Sequence, residues 1–286
     1  MLSFIMTGCL RQLLSIQTLR EQVQMLFNFD ETARRTPVPC ATWSDALKSD
    51  VRCSIVRQAT EHLVDHARST FPDNLVEVDV IDGRDVFAID ATYQIESSHF
   101  YRVLPAKGGD DNQKGSMLRP YYDIRAGIPV NVKTETRSMG EMWVLKNDYS
   151  QAKDWNRVKR AIYVVDRAFI DGVYWDERKA KLKETVITGM RSALSSSVVE
   201  ERQLSTHIIN GKVWSDQMIQ LKSSNQPWRR IKWLSPCGIE YECLTNDLDL
   251  KPGVVAFLYF RRWDEEKYFD NFKMIWQTKM LGVRAL

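Results

Sequence analysis

Apolar positions in the first part of the chain recur at helical spacing. Leu10, Leu13, Leu14, Ile16, Leu19, Val23, Leu26 and Phe27, with Arg and Gln between them, predict a helix. After the Pro-containing break Thr36-Pro-Val-Pro-Cys40, the capping residues of Thr42-Trp-Ser-Asp45 open a second helical stretch that ends near Ser69. From about residue 76 the period changes to two. Val76 to Ile81, Asp85 to Tyr93, Ser98 to Leu104 and Pro129 to Thr136 predict strands, with Lys107 to Gly115 a loop by composition. Ser150 to Val158 then reads as helix, Ala161 to Asp166 as an apolar strand, Asp171 to Lys183 as helix and Thr185 to Thr188 as strand.

Residues 190–250 form a strand-rich block. Val213-Trp214-Ser, Gln217 to Lys222, Arg229 to Leu234 and Glu240 to Leu244 alternate with turn-like segments such as Asn210-Gly and Ser223-Ser-Asn-Gln-Pro. Pro252-Gly precedes a last helix, Tyr259 to Lys273, rich in Glu, Lys, Arg and aromatic residues. At about 100° per residue, Tyr259, Arg262, Glu266 and Lys273 fall within roughly 60° of one face, beside an apolar sector of Leu258, Phe269, Phe272 and Trp276. A charged stripe of this kind is most often solvated. The pattern thus predicts an α/β protein in four parts: a helical region at 1–75, a mixed core from 76–189, a strand-rich insertion at 190–250, and a closing helix within 251–286.

Composition narrows this only a little. The hydrophobic share of 44% and charged share of 27% are those of a folded globular chain, and a formal charge of +3 permits nucleic acid without demanding it. Five scattered Cys with no Cys-x-x-Cys argue for a reducing, cytoplasmic setting and against a disulfide framework or zinc ribbon. The opening Met-Leu-Ser-Phe-Ile-Met-Thr-Gly-Cys9 lacks a leading Lys or Arg and reads as a helix start, and no later segment is long enough to span a membrane. Arg34, Arg35, Arg52, Arg57 and Arg68 make the N-terminal region either a DNA-contacting module or a bundle with a solvated basic face. His62 and His66 have metal-compatible spacing, but no third ligand stands near them in sequence.

The chemistry concentrates in three carboxylates. Asp90 and Asp166 each end an apolar strand, where α/β sheets collect ligands, although either alone reads equally well as a helix cap. Glu266 lies on the last helix. Three convergent carboxylates repel one another unless cations compensate them. Mg²⁺, with Mn²⁺ as a substitute, suits such oxygen donors, and two ions about 3.5–4 Å apart would clamp both oxygens of an in-line phosphoryl displacement. Arg262 and Lys273, on the face of Glu266, stand where phosphate oxygens would lie.

These residues resemble the bacterial insertion-sequence transposases of the DDE class, insertion-sequence-4 type. Tyr259, Arg262, Glu266 and Lys273 match that family's Tyr-Arg-Glu-Lys signature at all four positions. Ile89-Asp90-Ala-Thr is similar to its first Asp motif, Val165-Asp166-Arg167-Ala-Phe to its second, and Leu244-Thr-Asn-Asp247 to the segment before its Glu helix. The resemblance covers about residues 85 to 275. It implies a ribonuclease-H-like mixed sheet with flanking helices and a strand-rich insertion before the Glu helix. It also implies Mg²⁺-dependent cleavage of double-stranded DNA at terminal inverted repeats. Attack of the freed 3′-hydroxyl on target DNA would follow, carried out by a homodimer in a synaptic complex in the bacterial cytoplasm. Catalysis and metal binding would fall to Asp90, Asp166 and Glu266. DNA contacts would fall to Tyr259, Arg262, Lys273 and Arg167, with Trp233 the candidate for stacking a flipped base.

Family members carry a longer N-terminal DNA-binding region and continue beyond the Glu helix. The comparison therefore also implies a copy truncated or frameshifted at its ends. Two further readings follow from the same residues: a truncated copy that binds DNA or partner subunits without cutting, and a metal-dependent nuclease without strand transfer.

Overall fold

The computed structural model describes residues 49–76, 78, 81, 83–96, 104–105, 114–135, 141–151, 160–206, 211–235, 237–264 and 266–268. By its internal contacts the chain divides into two units, 71–268 and the two ends, 1–70 with 269–286. Of the second unit the structure describes one helix, α1 (Asp50–Thr70), whose His62 and His66 are exposed. The expected helix over Leu10–Phe27, the turn at Thr36–Cys40 and the segment after Tyr268 lie outside the described residues.

Residues 71–268 build a mixed α/β unit around a large, mostly antiparallel sheet. Its strands are β1 (Val86–Ile89), β2 (Thr92–Glu96), β3 (Leu104–Pro105), β4 (Lys114–Asp123), β5 (Ile128–Glu135), β6 (Ile162–Val165), β7 (Thr185–Gly189), β8 (Ser196–Glu201), β9 (Val213–Leu221), β10 (Pro227–Leu234) and β11 (Glu240–Thr245). The helices are α2 (Glu141–Gln151), α3 (Gly172–Leu182) and α4 (Pro252–Arg261). The order is β2-β4-β1-β6-β7-β11-β10-β9-β8, with β3 and β5 also on β4. Among the described strands only β1, β6 and β7 run parallel, and they lie side by side. Through the pairing of β7 with β11, the strands of the 190–250 block continue this same sheet.

The parallel strands are buried on both faces, which is why they read as unbroken apolar runs. Val86, Ala88, Ile162, Val164 and Ile187 face the core that contains α4, together with Leu75, Val78 and Ile81. Their alternates Phe87, Ile89, Tyr163, Val165 and Val186 face the opposite core, which contains Phe169, Trp175 of α3 and Leu145 of α2. α3 is closed at both ends: the Asp171 side chain accepts from Tyr174 N–H, and Lys183, at a φ of 60°, bonds back to Lys179.

Three expectations change. At Val76–Ile81 the described residues Val76, Val78 and Ile81 are not in a strand. Leu75, Val78 and Ile81 are buried at a spacing of three, in turns closed by the bonds Val78 N–H to Leu75 and Ile81 N–H to Val78. The last helix begins at Pro252, well before Tyr259, and α2 covers 141–151, whereas the helix expected at Ser150–Val158 falls mostly outside the described residues. β4, the sheet's most connected strand, was not revealed by pattern, because it contains Pro120 and proline ordinarily demotes such a run to an edge.

Pro120 also explains a break that matters for the site. β1 and β2 pair with β4 in one continuous register, Ile89 opposite Tyr121 and Thr92 opposite Leu118. That register sets Asp90 opposite Pro120. The N–H of Ile124 bonds Val86 O, so even-numbered residues of β4 point their N–H groups toward β1, and at Pro120 there is none. The ladder lapses at Asp90, whose own carboxylate accepts the next N–H, from Ala91, at 2.7 Å.

Candidate active site

Register and alternation bring the two aspartates together. β1 and β6 pair in parallel up to Ile89 opposite Val165, so the next step places Asp90 beside Asp166 on the neighbouring strand. Adjacent strands lie about 4.8 Å apart. Both residues share the parity of Val86, Ala88, Ile162 and Val164, and therefore the α4 face. Asp166 is half-buried and opens the short 3₁₀ turn Arg167–Phe169 by accepting from Arg167 N–H at 2.7 Å. This is the cap role that sequence left open, and it occupies one carboxylate oxygen while the group remains at the strand end.

α4 and the residues just after it supply the others. The helix runs along β7, from the loop around Asp247 beside Thr185 at one end to Tyr259 beside Gly189 at the other. The loop is clamped. Asp247 accepts from Thr185 at 2.8 Å and pairs with Arg84 and Lys179 at 3.2 and 3.3 Å, while its other oxygen accepts from Leu250 N–H at 2.9 Å. Arg229, held by Asp216, donates to the carbonyls of Asp247 and Leu250 at 3.1 and 2.6 Å. No side chain caps α4 itself, so this loop does the anchoring, with Pro252 pre-set for the first turn.

At the far end Arg262 binds two carboxylates at once. Nη2 lies 2.8 Å from Glu266 Oε1, one turn along, and Nη1 lies 3.5 Å from Asp90 Oδ2. Arg262 is 7% exposed, and its Nε is buried with no hydrogen-bond partner among the described residues. Burial works against its charge, but Glu266, Tyr259 and Asp90 outweigh this and raise its pKa further. Asp90 is pushed above the ordinary carboxylate range. Burial is the main cause, the Ala91 N–H and Arg262 oppose it, and the nearby charges of Asp166 and Glu266 add to it. Tyr259 is pushed up to about 12, chiefly by burial, with the Arg262 charge opposing. It is therefore protonated at neutral pH.

Five of the sequence-derived residues thus share one end of the sheet: Asp90, Asp166, Tyr259, Arg262 and Glu266. Arg167 is exposed directly after Asp166. Lys273 lies outside the described residues. Trp233 is in the core, 4% exposed, stacked on Tyr241 at 5.5 Å and edge-on to Tyr259 at 5.8 Å, so it supports the site from behind and shows no exposed face to a flipped base. Sequence reading did not single out Gly189 or Pro120. Both lie on strands flanking the aspartates, and the apolar run ending in Thr188-Gly189 was the available signal.

The donor set suits a hard divalent cation: carboxylate oxygens, two of them side by side on the strands. Among the described residues no group of three His, Cys, Asp or Glu is gathered closely enough to hold an ion. In this arrangement the Arg262 guanidinium takes up charge from Asp90 and Glu266.

No protein-family model matches the chain, and no curated protein matches it. Among solved structures it is similar to one determined by cryo-EM, the piggyBac transposase synaptic complex with hairpin DNA. Identity is 9% and the TM-score 0.40, over 68% of this chain and 43% of that one, so the chain spans less than half that protein's length.

Proposed function

We propose that this chain is a DNA transposase of the DDE class, with a ribonuclease-H-like core, acting on double-stranded DNA at element ends and as a homodimer in a synaptic complex. One observation carries the reading. Asp90 and Asp166 stand side by side at adjacent parallel strand ends, on the face over which Arg262 links Asp90 to Glu266. Antiparallel strands on one side of β1, parallel strands on the other, and helices on both faces agree with a core of that kind.

Asp90, Asp166 and Glu266 would hold Mg²⁺, which when bound supplies charge stabilisation for the attacking and leaving oxygens of a phosphodiester. The residues around them are suited to the phosphate. Arg262, firmly protonated, brings a positive charge to the place where phosphate oxygens would lie. The protonated phenol of Tyr259 can donate a further hydrogen bond. Arg167, exposed beside Asp166, can reach the DNA backbone at the same edge, and the family signature gives Lys273 a like role. In cleavage, water would attack the phosphorus and break the P–O3′ bond, freeing a 3′-hydroxyl; in transfer that hydroxyl would attack a target phosphodiester and displace the target strand's 3′-oxygen.

The test is supercoiled DNA bearing the cognate ends, incubated with protein and Mg²⁺. End-specific 3′-hydroxyls or hairpins are the expected products. Cleavage indifferent to the ends would instead mark a nuclease. A second reading, a copy that binds DNA or partner subunits without cutting, is favoured by the Arg262 guanidinium, which sits on both Asp90 and Glu266. It predicts a gel shift with no cleavage at any Mg²⁺ concentration.

A further inference from the structure

The row formed by Asp90 and Asp166 continues one strand further. Val165 pairs with Thr188 across β6 and β7, so Gly189 stands beside Asp166 as Asp166 stands beside Asp90. Three parallel strands therefore end in two carboxylates and one position with no side chain. Gly189 is not among the residues with positive φ, so the backbone does not call for glycine there. Space does. A Cβ at Gly189 would run into the Tyr259 hydroxyl, with Tyr259 Cζ 3.4 Å and Arg167 Cβ 3.8 Å away.

Tyr259 has little room to give way. It is 9% exposed, its ring meets the edge of Trp233 at 5.8 Å, and the Arg262 guanidinium sits 6.0 Å from its ring centre. The same guanidinium bridges Asp90 and Glu266. Tilting the phenol would shift the residue that touches both carboxylates.

We propose that Gly189 is a positioning residue: its missing side chain is the socket of the Tyr259 hydroxyl, and by seating that hydroxyl it sets the aim of Arg262 at the phosphate. This rests on the reading of the site as a phosphoryl-transfer centre. The function of Gly189 is then steric, and it acts through Tyr259 rather than on the substrate.

A double-mutant cycle of Gly189→Ala, Tyr259→Phe and the two combined tests it, read in the full chain by thermal unfolding and by Mg²⁺-dependent cleavage of end-bearing DNA. Gly189→Ala is expected to lower Tm by about 3–8 °C, the scale of overpacking in a chain of this size. Adding Tyr259→Phe, which removes the obstructing oxygen, is expected to recover most of that loss. In cleavage, each single change is expected to lower kcat by about tenfold to a hundredfold with a smaller change in KM, as misplacement of a positioned group does. The double variant is expected to be no worse than Tyr259→Phe alone, since one change unseats and the other removes the same hydroxyl. Losses that add in kcat, or a Tm deficit that Tyr259→Phe does not relieve, would overturn the socket. If wild type cuts no DNA, the functional reading fails on that result, whereas the Tm cycle still decides whether Gly189 seats Tyr259.

Discussion

Arg262 Nη1 lies 3.5 Å from Asp90 Oδ2, tying the end of a helix to a strand end 172 positions earlier in the chain. The same guanidinium holds Glu266 at 2.8 Å. One cation thus compensates carboxylates from two distant segments, and its removal leaves both without it. Arg262→Ala is expected to destabilise the protein by about 2 kcal/mol, less than the 3–5 kcal/mol of a fully buried pair because Asp90 and Glu266 are partly exposed. Urea unfolding at neutral pH checks this. Added Mg²⁺ is expected to recover part of the loss, because a bound divalent ion would neutralise the same carboxylates.

Asp90 gives a second expectation, with a defined sign. Its folded pKa is raised, mainly by burial, so the folded protein keeps this proton to higher pH than the unfolded chain does. Stability from this group is complete below the unfolded value of about 3.9 and declines as pH rises through the folded value. Asp90→Asn is therefore expected to melt at or above the wild-type Tm at pH 7, with the difference vanishing in acid. DNA cleavage is expected to fall by about 10³-fold or more, the scale of removing one charge-stabilising group. A variant that loses activity together with several degrees of Tm would mean that Asp90 serves folding and not chemistry.

Asp247 titrates in the opposite sense. Burial alone would raise it, but Lys179, the Leu250 N–H, the Thr185 hydroxyl and the Asp249 N–H together hold it well below the usual carboxylate range. Its contribution is present above about pH 3.9 and is lost as pH falls through the folded value. Asp247→Asn is expected to cost about 2–3 kcal/mol at neutral pH by leaving Arg84 and Lys179 uncompensated, at the low end because Lys179 is 36% exposed. Denaturant unfolding at two pH values checks it: the gap between wild type and variant should narrow in acid.

Trp233 is expected to behave as a core residue. Trp233→Ala should cost about 3–5 kcal/mol, and Trp233→Phe, which keeps a ring against Tyr241 and Tyr259, much less. Chemical denaturation measures both. A Trp233→Ala protein as stable as wild type but defective in forming hairpins would return this residue to the DNA.

The polar face of the last helix was legible because Tyr259, Arg262 and Glu266 keep helical spacing. Asp90 and Asp166 were legible because each closes an apolar run. What brings them together was not. Register between β1 and β6 is set by pairing across more than 70 residues of sequence, and local periodicity carries no trace of it. β4 was hidden by Pro120, tolerated inside the sheet only where the opposite strand breaks its ladder at Asp90. The start of α4 was hidden for the reverse reason. Val254, Val255, Ala256 and Leu258 are all buried, so that stretch has no polar stripe for pattern to register. At Val76–Ile81, acidic residues between valines imitated a strand, while the buried positions follow turns of three.

The most direct measurement is of the carboxylates as one site. Mn²⁺, which reports on Mg²⁺ sites through its electron paramagnetic resonance signal, can be titrated into the wild-type chain, into Asp166→Asn and into Glu266→Gln, with each protein's fold checked by circular dichroism. The expected result is saturable Mn²⁺ binding to wild type, displaced by Mg²⁺ and weakened at least about tenfold by either substitution. Folded wild-type protein that binds no Mn²⁺, or variants that bind it as wild type does, would contradict the assignment of Asp90, Asp166 and Glu266 to one metal-dependent phosphoryl-transfer centre.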